Sequence, residues 1–237
     1  MSFTQIGSDI NGESWYGQAG YSVSLSSDGS VIAVGVPRFH TGYVEGSTTD
    51  YFTPGKTRIY QGSGWSERRP GIQGDVDDDW SGRSVSISGD GSIVAISAPY
   101  SDDNGENSGC TRVYAWDGTA WNQLGSDIDG EAAFDYSGTS VSLSSDGSIV
   151  AIGAYDNDGN GSNSGHVRIY QYSSGSWSQL GNDIDGEAAN DGSGRSVSLS
   201  GDGSIVAIGA PFNDGNGSNK GHVRLYQRDG SAWVQIG

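Results

Sequence analysis

Residues 140–154 read SVSLSSDGSIVAIGA, and 56 residues later residues 196–210 read SVSLSGDGSIVAIGA. The same stretch stands at 84–98 as SVSISGDGSIVAISA and at 22–36 as SVSLSSDGSVIAVGV, so the chain is four copies of one unit of about 56 to 62 residues. A period of this length marks a supersecondary unit that buries its apolar surface against its neighbours, in a stack or a ring.

Each unit carries four short segments of strand character, in the third copy SVSLS, SIVAIGA, HVRIYQY and WSQLG. Four strands per repeat is the content of a propeller blade. The first two strands are separated by Asp28-Gly29, Asp90-Gly91, Asp146-Gly147 and Asp202-Gly203, a dipeptide that accepts the positive φ angles of two-residue hairpins. In the first strand Val141 and Leu143 alternate with serines, which gives an apolar face and a face of small hydroxyls. The second strand is apolar on both faces, as a strand between packed sheets should be. The third places Val167 and Ile169 on one side and Arg168 and Tyr170 on the other. Arg58, Arg112, Arg168 and Arg224 each precede a tyrosine by two residues and are read as ion-pair struts to acidic loops. Trp65, Trp121, Trp177 and Trp233 open the fourth strands, with Phe3 as an extra instance, and are read as packing between blades.

These patterns predict an all-β chain, a β-propeller of four four-stranded blades. A single domain covers 1–237, with repeats at about 8–69, 70–125, 126–181 and 182–237, and 3–7 forms an extra outer strand of the WVQIG type. Four copies make either a complete small propeller or part of a larger ring. A spare outer strand either closes the ring or stands at an edge open to a neighbouring chain.

Apolar residues make up 33% of the chain, low for a conventional core but workable where Gly and Ser fill close contacts between thin sheets. No stretch approaches the roughly 18 apolar residues of a membrane helix, and the amino end lacks a basic region followed by an apolar one. Cys110 is solitary and has no metal-site spacing. Little lysine and much Asp, Asn, Gly and Ser suit an extracellular or surface-associated protein.

The formal charge of −17 speaks against nucleic acid and for cations or basic partners. Blade topology sends the connections after the second and fourth strands to one end of the disc, where 22 of the 29 acids fall. Such crowding calls for counter-ions, arginines or metal. Calcium is the natural ion, since it takes six to eight oxygens in flexible geometry. Its candidate ligands are Asp127, Asp129, Glu131 and Asp135 in one loop, their twins Asp183, Asp185, Glu187 and Asp191, and Asp156, Asp158 and Asn160 in the DNDGNG run. That run opens like a D-x-D-x-N-G calcium loop but has Val167 where the twelfth-position Glu belongs. The competing reading makes these residues turn formers that bind local backbone amides. Asn160 and Asn216 stand in N-x-S sequons.

The fourth copy, SGRSVSLSGDGSIVAIGAPFNDGNGSNKGHVRLYQ, resembles the FG-GAP repeat, the blade of integrin-α-like propellers, with Gly209-Ala210-Pro211 as its GAP. The likeness runs through all four copies. It departs from the family at Ser81, Ser137 and Ser193, which stand for Phe, and in the hairpin between the first two strands, too short for the family's calcium loop. The family's metal ligands therefore do not carry over. The resemblance implies adhesion, ligand recognition or extracellular scaffolding.

Two main functions follow: a noncatalytic extracellular binding or adhesion module with an acidic, calcium-binding face, or a structural component of a virion, appendage or matrix that joins subunits through edge strands. A hydrolase is the minor alternative, because His40, His166 and His222 have no visible nucleophile or paired carboxylate beside them. The first copy has an insertion within 37–56 whose Tyr43, Tyr51 and Phe52 are candidate contacts for a protein or glycan ligand, or a plug over the central channel.

Overall fold

The computed structural model describes residues 3–13, 17–38, 53–215 and 217–237, and among these there is strand and turn but no helix, hence no helix long and apolar enough to cross a membrane. The first sheet holds β1 (Ser22–Leu25), β2 (Val31–Val36), β3 (Lys56–Gln61), β4 (Ser66–Glu67) and β5 (Ile72–Gln73). The second holds β6 (Val85–Ile87), β7 (Ile93–Ala98), β8 (Cys110–Trp116), β9 (Trp121–Gln123) and β10 (Ile128–Asp129). The third holds β11 (Ser140–Leu143), β12 (Ile149–Ala154), β13 (His166–Ser173), β14 (Ser176–Gln179) and β15 (Ile184–Asp185). The fourth holds β16 (Ser196–Leu199), β17 (Ile205–Ala210), β18 (His222–Asp229) and β19 (Ala232–Ile236). Every pairing between these strands is antiparallel, and each sheet is one repeat, joined in the first three by a short strand from the start of the next repeat.

The outer strand differs from the single segment expected. In three sheets it is two pieces: Gln179 of β14 faces Tyr170 while Ile184 of β15 faces Val167, which leaves two extra residues bulged between them. Gly181 turns the chain there with φ 85°, and this bulge brings Asp129 and Asp185 into strands rather than loops. The Asp-Gly hairpins also differ. The Ser144 amide donates to Ile149 O and the Gly147 amide to Ser144 O, so four residues, not two, make the connection. Gly147 alone takes positive φ, while the Asp146 carboxylate accepts Ser144 Oγ at 2.6 Å and the Ser148 amide at 3.0 Å.

The core lies between sheets. Val31, Ala33 and Ile59 of the first meet Val85, Ile87, Val94 and Ile96 of the second; Ala95, Val113 and Ile128 meet Val141, Leu143, Val150 and Ile152; Ile149, Ala151, Val167 and Ile169 meet Leu199, Val206 and Ile208. The serine face of each first strand supplies the polar half of the joint. Ser24, Ser86 and Ser142 Oγ accept the amides of Ile87, Leu143 and Leu199 in the next sheet at 3.0, 2.9 and 2.9 Å. Trp177 and Trp233 donate Nε1–H across the joint to the carbonyls of Leu124 and Leu180 at 2.7 and 2.8 Å, as expected of rings packed between blades.

The sheets form an open arc. β1 lies beside β6, β6 beside β11 and β11 beside β16. Val23 and Leu25 of β1 are 60% and 57% exposed, whereas their counterparts Val141 and Leu143 are 7% exposed. At the other end Val223 and Leu225 are exposed while the equivalent Val167 and Ile169 are buried. Residues 3–7 pair with no strand, yet occupy the place of a preceding blade's outer strand. Trp65 Nε1 donates to Ile6 O at 2.9 Å, and Arg58 Nη1 to Asn11 O at 3.3 Å, the counterpart of Arg168 on Asp129 O.

Candidate cation-binding face

The connections after the second and the outer strands lie together at one end of the arc. Asn104 and Asn160, from the former, donate to Gly130 O and Gly186 O, in the latter, each at 2.8 Å. The acids are thus gathered on one face, and the repeated arginines are struts among them. Arg58 binds Glu67 at 2.9 Å and Glu13 at 3.1 Å; Arg112 reaches Asp127, Asp103 and Asp75 at 2.8, 3.2 and 3.3 Å; Arg168 meets Glu131 at 3.3 Å and Arg224 lies 3.9 Å from Glu187. All four arginines are buried, so these pairs are better insulated from water than surface ion pairs.

The positions read as calcium ligands separate into several places. Asp135 and Asp191 are buried and structural: Asp135 Oδ2 accepts the Ala132 amide at 3.1 Å and Asn157 Nδ2 at 2.9 Å, and Asp191 Oδ2 accepts Ala188 and Asn213 at 3.0 and 2.8 Å. Asp158 takes the Asn163 amide at 2.7 Å, and Asn160 turns its amide to backbone carbonyls. The carboxyls of Asp129, Asp156 and Asp185 are pushed up from the usual range, chiefly by burial. Asp127 and Asp129 approach Asp103 and Cys110, and Glu131 approaches His166 and Asp183; in both groups one ligand atom from each residue falls within 4.8 Å of the others. Each of these groups already has an arginine paired to a member, Arg112 in the first and Arg168 in the second, so neither is the cation-free shell of six to eight oxygens that calcium takes. Glu187 pairs with Arg224 and lies 3.6 Å from His222. His166 is 1% exposed, and burial, followed by the Arg168 charge, lowers its imidazole to about 4 against the pull of Asp183, so it is neutral near pH 7. Cys110 is fully buried and its thiol is pushed far up by that burial. Tyr43, Tyr51, Phe52, His40 and Asn216 lie outside the described residues.

A different site stands out within the second copy, between the connection that precedes its first strand and the one that follows its second. A cavity of about 450 Å³ is lined by Val76, Asp77, Asp78, Asp79, Trp80, Tyr100, Asp102, Asp103, Glu106 and Asn107. Trp80 and Tyr100 have ring centroids 4.6 Å apart, Tyr100 lies 5.4 Å from Tyr136, and Tyr136 lies 5.9 Å from Tyr155. Trp80 and Tyr136 hold left-handed backbone, φ 59° and 52°, at the position that Gly192 fills in the next copy. Asp79 is 5% exposed and its carboxylate, unlike those of Asp135 and Asp191, accepts no hydrogen bond and forms no ion pair among the described residues. Burial first, then the Asp103 charge with smaller additions from Asp102 and Asp75, and with Arg112 opposing, raise its carboxyl to about 6. This pocket was missed in the sequence, although the signal was there. Ser101 stands where the third and fourth copies have Asn157 and Asn213, the amide donors of their buried aspartates.

The fold and this acidic face define a blade array, and comparison with known proteins gives its family. The FG-GAP repeat model matches residues 74–114, 126–170 and 184–226, more than half of the chain, and the chain belongs to the FG-GAP repeat family. No curated protein sequence matches it. Among solved structures it is similar to the hydrazine synthase of Kuenenia stuttgartiensis (13% identity, TM-score 0.58, 97% of this chain and 53% of that one). It is also similar to the periplasmic gluconolactonase of Pseudomonas aeruginosa (14%, 0.54, 91% and 56%) and to the β-propeller domain of the trilobed protease of Pyrococcus furiosus, which has an open velcro topology (9%, 0.53, 91% and 56%). At these identities the likeness is one of fold alone. The chain spans about half the length of the solved structures it matches.

Proposed function

We propose that the chain is a noncatalytic binding module, working outside the cell or at its surface, whose acidic face engages a positively charged protein partner. The observation that carries this reading is the pocket, where six carboxylates and two aromatic rings meet in one cavity of about 450 Å³, a size and chemistry suited to ligand capture. The net charge of −17 adds long-range attraction for such a partner. The test is biolayer interferometry against immobilised lysine-rich, neutral and acidic peptides at low and physiological salt. The reading requires selective capture by the lysine-rich surface that weakens with salt; equal response to all three would dismiss it. Fractionation of the source cells tests the location, and recovery in the cytosol would contradict it.

A second reading, assembly into a larger body, is favoured by one observation: the exposed apolar faces of the two end blades, Val23 and Leu25 at one and Val223 and Leu225 at the other. Sedimentation at rising concentration checks it, and a constant monomer mass would remove it.

A further inference from the structure

Three copies of one turn occupy the acidic face, and their differences separate what the fold needs from what it does not. In the third and fourth copies the turns read Ala132-Ala133-Phe134-Asp135 and Ala188-Ala189-Asn190-Asp191, with Asn157-Asp158-Gly159 and Asn213-Asp214-Gly215 opposite. There the buried aspartate is held by an asparagine amide and a backbone amide. The second copy reads Val76-Asp77-Asp78-Asp79, with Ser101-Asp102-Asp103 opposite. The amide donor is gone, because the Ser101 hydroxyl donates to Asp103 Oδ2 at 2.8 Å instead. Four carboxylates, Asp77, Asp78, Asp103 and Glu106, are added at positions the sister blades fill with uncharged residues. What remains is a buried carboxylate without a partner among the described residues, at the wall of a cavity where Asp102 alone of the other acids repeats a turn-holding aspartate of the neighbouring copies, Asp158 and Asp214. A buried charge left in this state costs stability unless a counter-charge arrives.

We infer that the cavity around Asp79 binds an alkylammonium group, with the ammonium at Asp79 and its stem against Trp80 and Tyr100. The inference rests on the reading of the chain as a binder of positively charged partners and names the group it captures. A metal ion fits less well, because among the described residues only Asp103 of the cavity's carboxylates belongs to a group whose ligand atoms lie within 4.8 Å of one another, and its partners there, Cys110, Asp127 and Asp129, do not line the cavity. An organic cation is larger and buries its methylenes along the Trp80–Tyr100 wall, beside the Arg38 guanidinium that already packs 3.9 Å over the Trp80 ring. Such a group comes either from a lysine side chain of a protein or from a free diamine, and binding measurements distinguish the two.

The experiment is calorimetric titration of the whole chain with an acetylated, amidated glycine-lysine-glycine peptide, its norleucine counterpart, cadaverine and calcium chloride. The lysine peptide is expected to bind and the norleucine peptide not; a peptide preferred over cadaverine identifies a protein source, and the reverse a free amine. Asp79→Asn should weaken binding by about tenfold or more, while Asp202→Asn, which removes the same charge from a hairpin at the other end of the blade, should leave it unchanged. Ser101→Asn keeps every charge and restores the sister blades' amide, so it too should weaken binding, which guards against misfolding of the first variant. Lysine binding that survives both substitutions would overturn the pocket and leave the acidic face as a diffuse attractor. Absence of any cation binding would overturn both that reading and this one, and calcium uptake without lysine uptake would replace the ammonium by a metal.

Discussion

Asp79, Asp135 and Asp191 occupy the same turn in successive blades and differ only in what surrounds them. Asp135 and Asp191 have two donors each, and Asp79 has carboxylates instead. Its raised value has a definite consequence for stability. The folded state holds the Asp79 proton up to about pH 6, whereas an unfolded aspartate releases it near 3.9. The cost is therefore full above about pH 6, is relieved as pH falls towards 4, and vanishes below the unfolded value. A displacement of this size is worth at most about 3 kcal/mol. Asp79→Asn should accordingly be more stable than the parent at pH 7.5 and equal to it near pH 4, as read from urea midpoints; a difference that does not change with pH would contradict the assignment. A substitution that strengthens the fold while weakening ligand capture is the mark of a residue kept for binding. At this scale the sequence showed which residues are acidic and that arginines would brace them. It hid which acid lacks a partner, because that depends on a loop 22 residues away, where serine replaces asparagine.

The elements followed the repeat closely where one strand's alternation decides them, and less closely where the chain leaves the ladder. The SVSLS pattern predicts its two faces correctly because the serines and the valine–leucine pair have different partners in the neighbouring sheets. The outer strand did not reveal its break, since Leu180 and Gly181 carry no signal for a two-residue bulge beyond the glycine itself. After the bulge the chain tucks under the preceding connection. A Cβ on Gly186 would stand 2.0 Å from Ser164 O, with backbone on both sides, while one on Gly64 would meet nothing within 4 Å. Gly186→Ala is expected to cost about 2 kcal/mol or more, and Gly64→Ala to be neutral or stabilising by a few tenths. Chemical denaturation of the pair checks this; equal effects would mean that the second half of the outer strand is not held against the blade.

For the whole molecule, repetition made the four blades legible, but whether they close depends on the rotation between them, which sequence does not encode locally. The structure resolves this as an arc in which the apolar face of one blade's first strand packs against the second and third strands of its predecessor, so one face of each kind is left over. The acidic connections follow the same curve and line one end of it. The most direct test of this arrangement compares Val23→Asp with Val141→Asp, the same position in the first and third copies, by urea unfolding at sub-micromolar protein. The arc predicts that Val141→Asp, charged within a buried joint, loses about 3 kcal/mol or more, whereas Val23→Asp stays within roughly 0.5 kcal/mol of the parent. Equal, severe losses at both positions would show that the first blade is covered by the fourth and that the ring is closed.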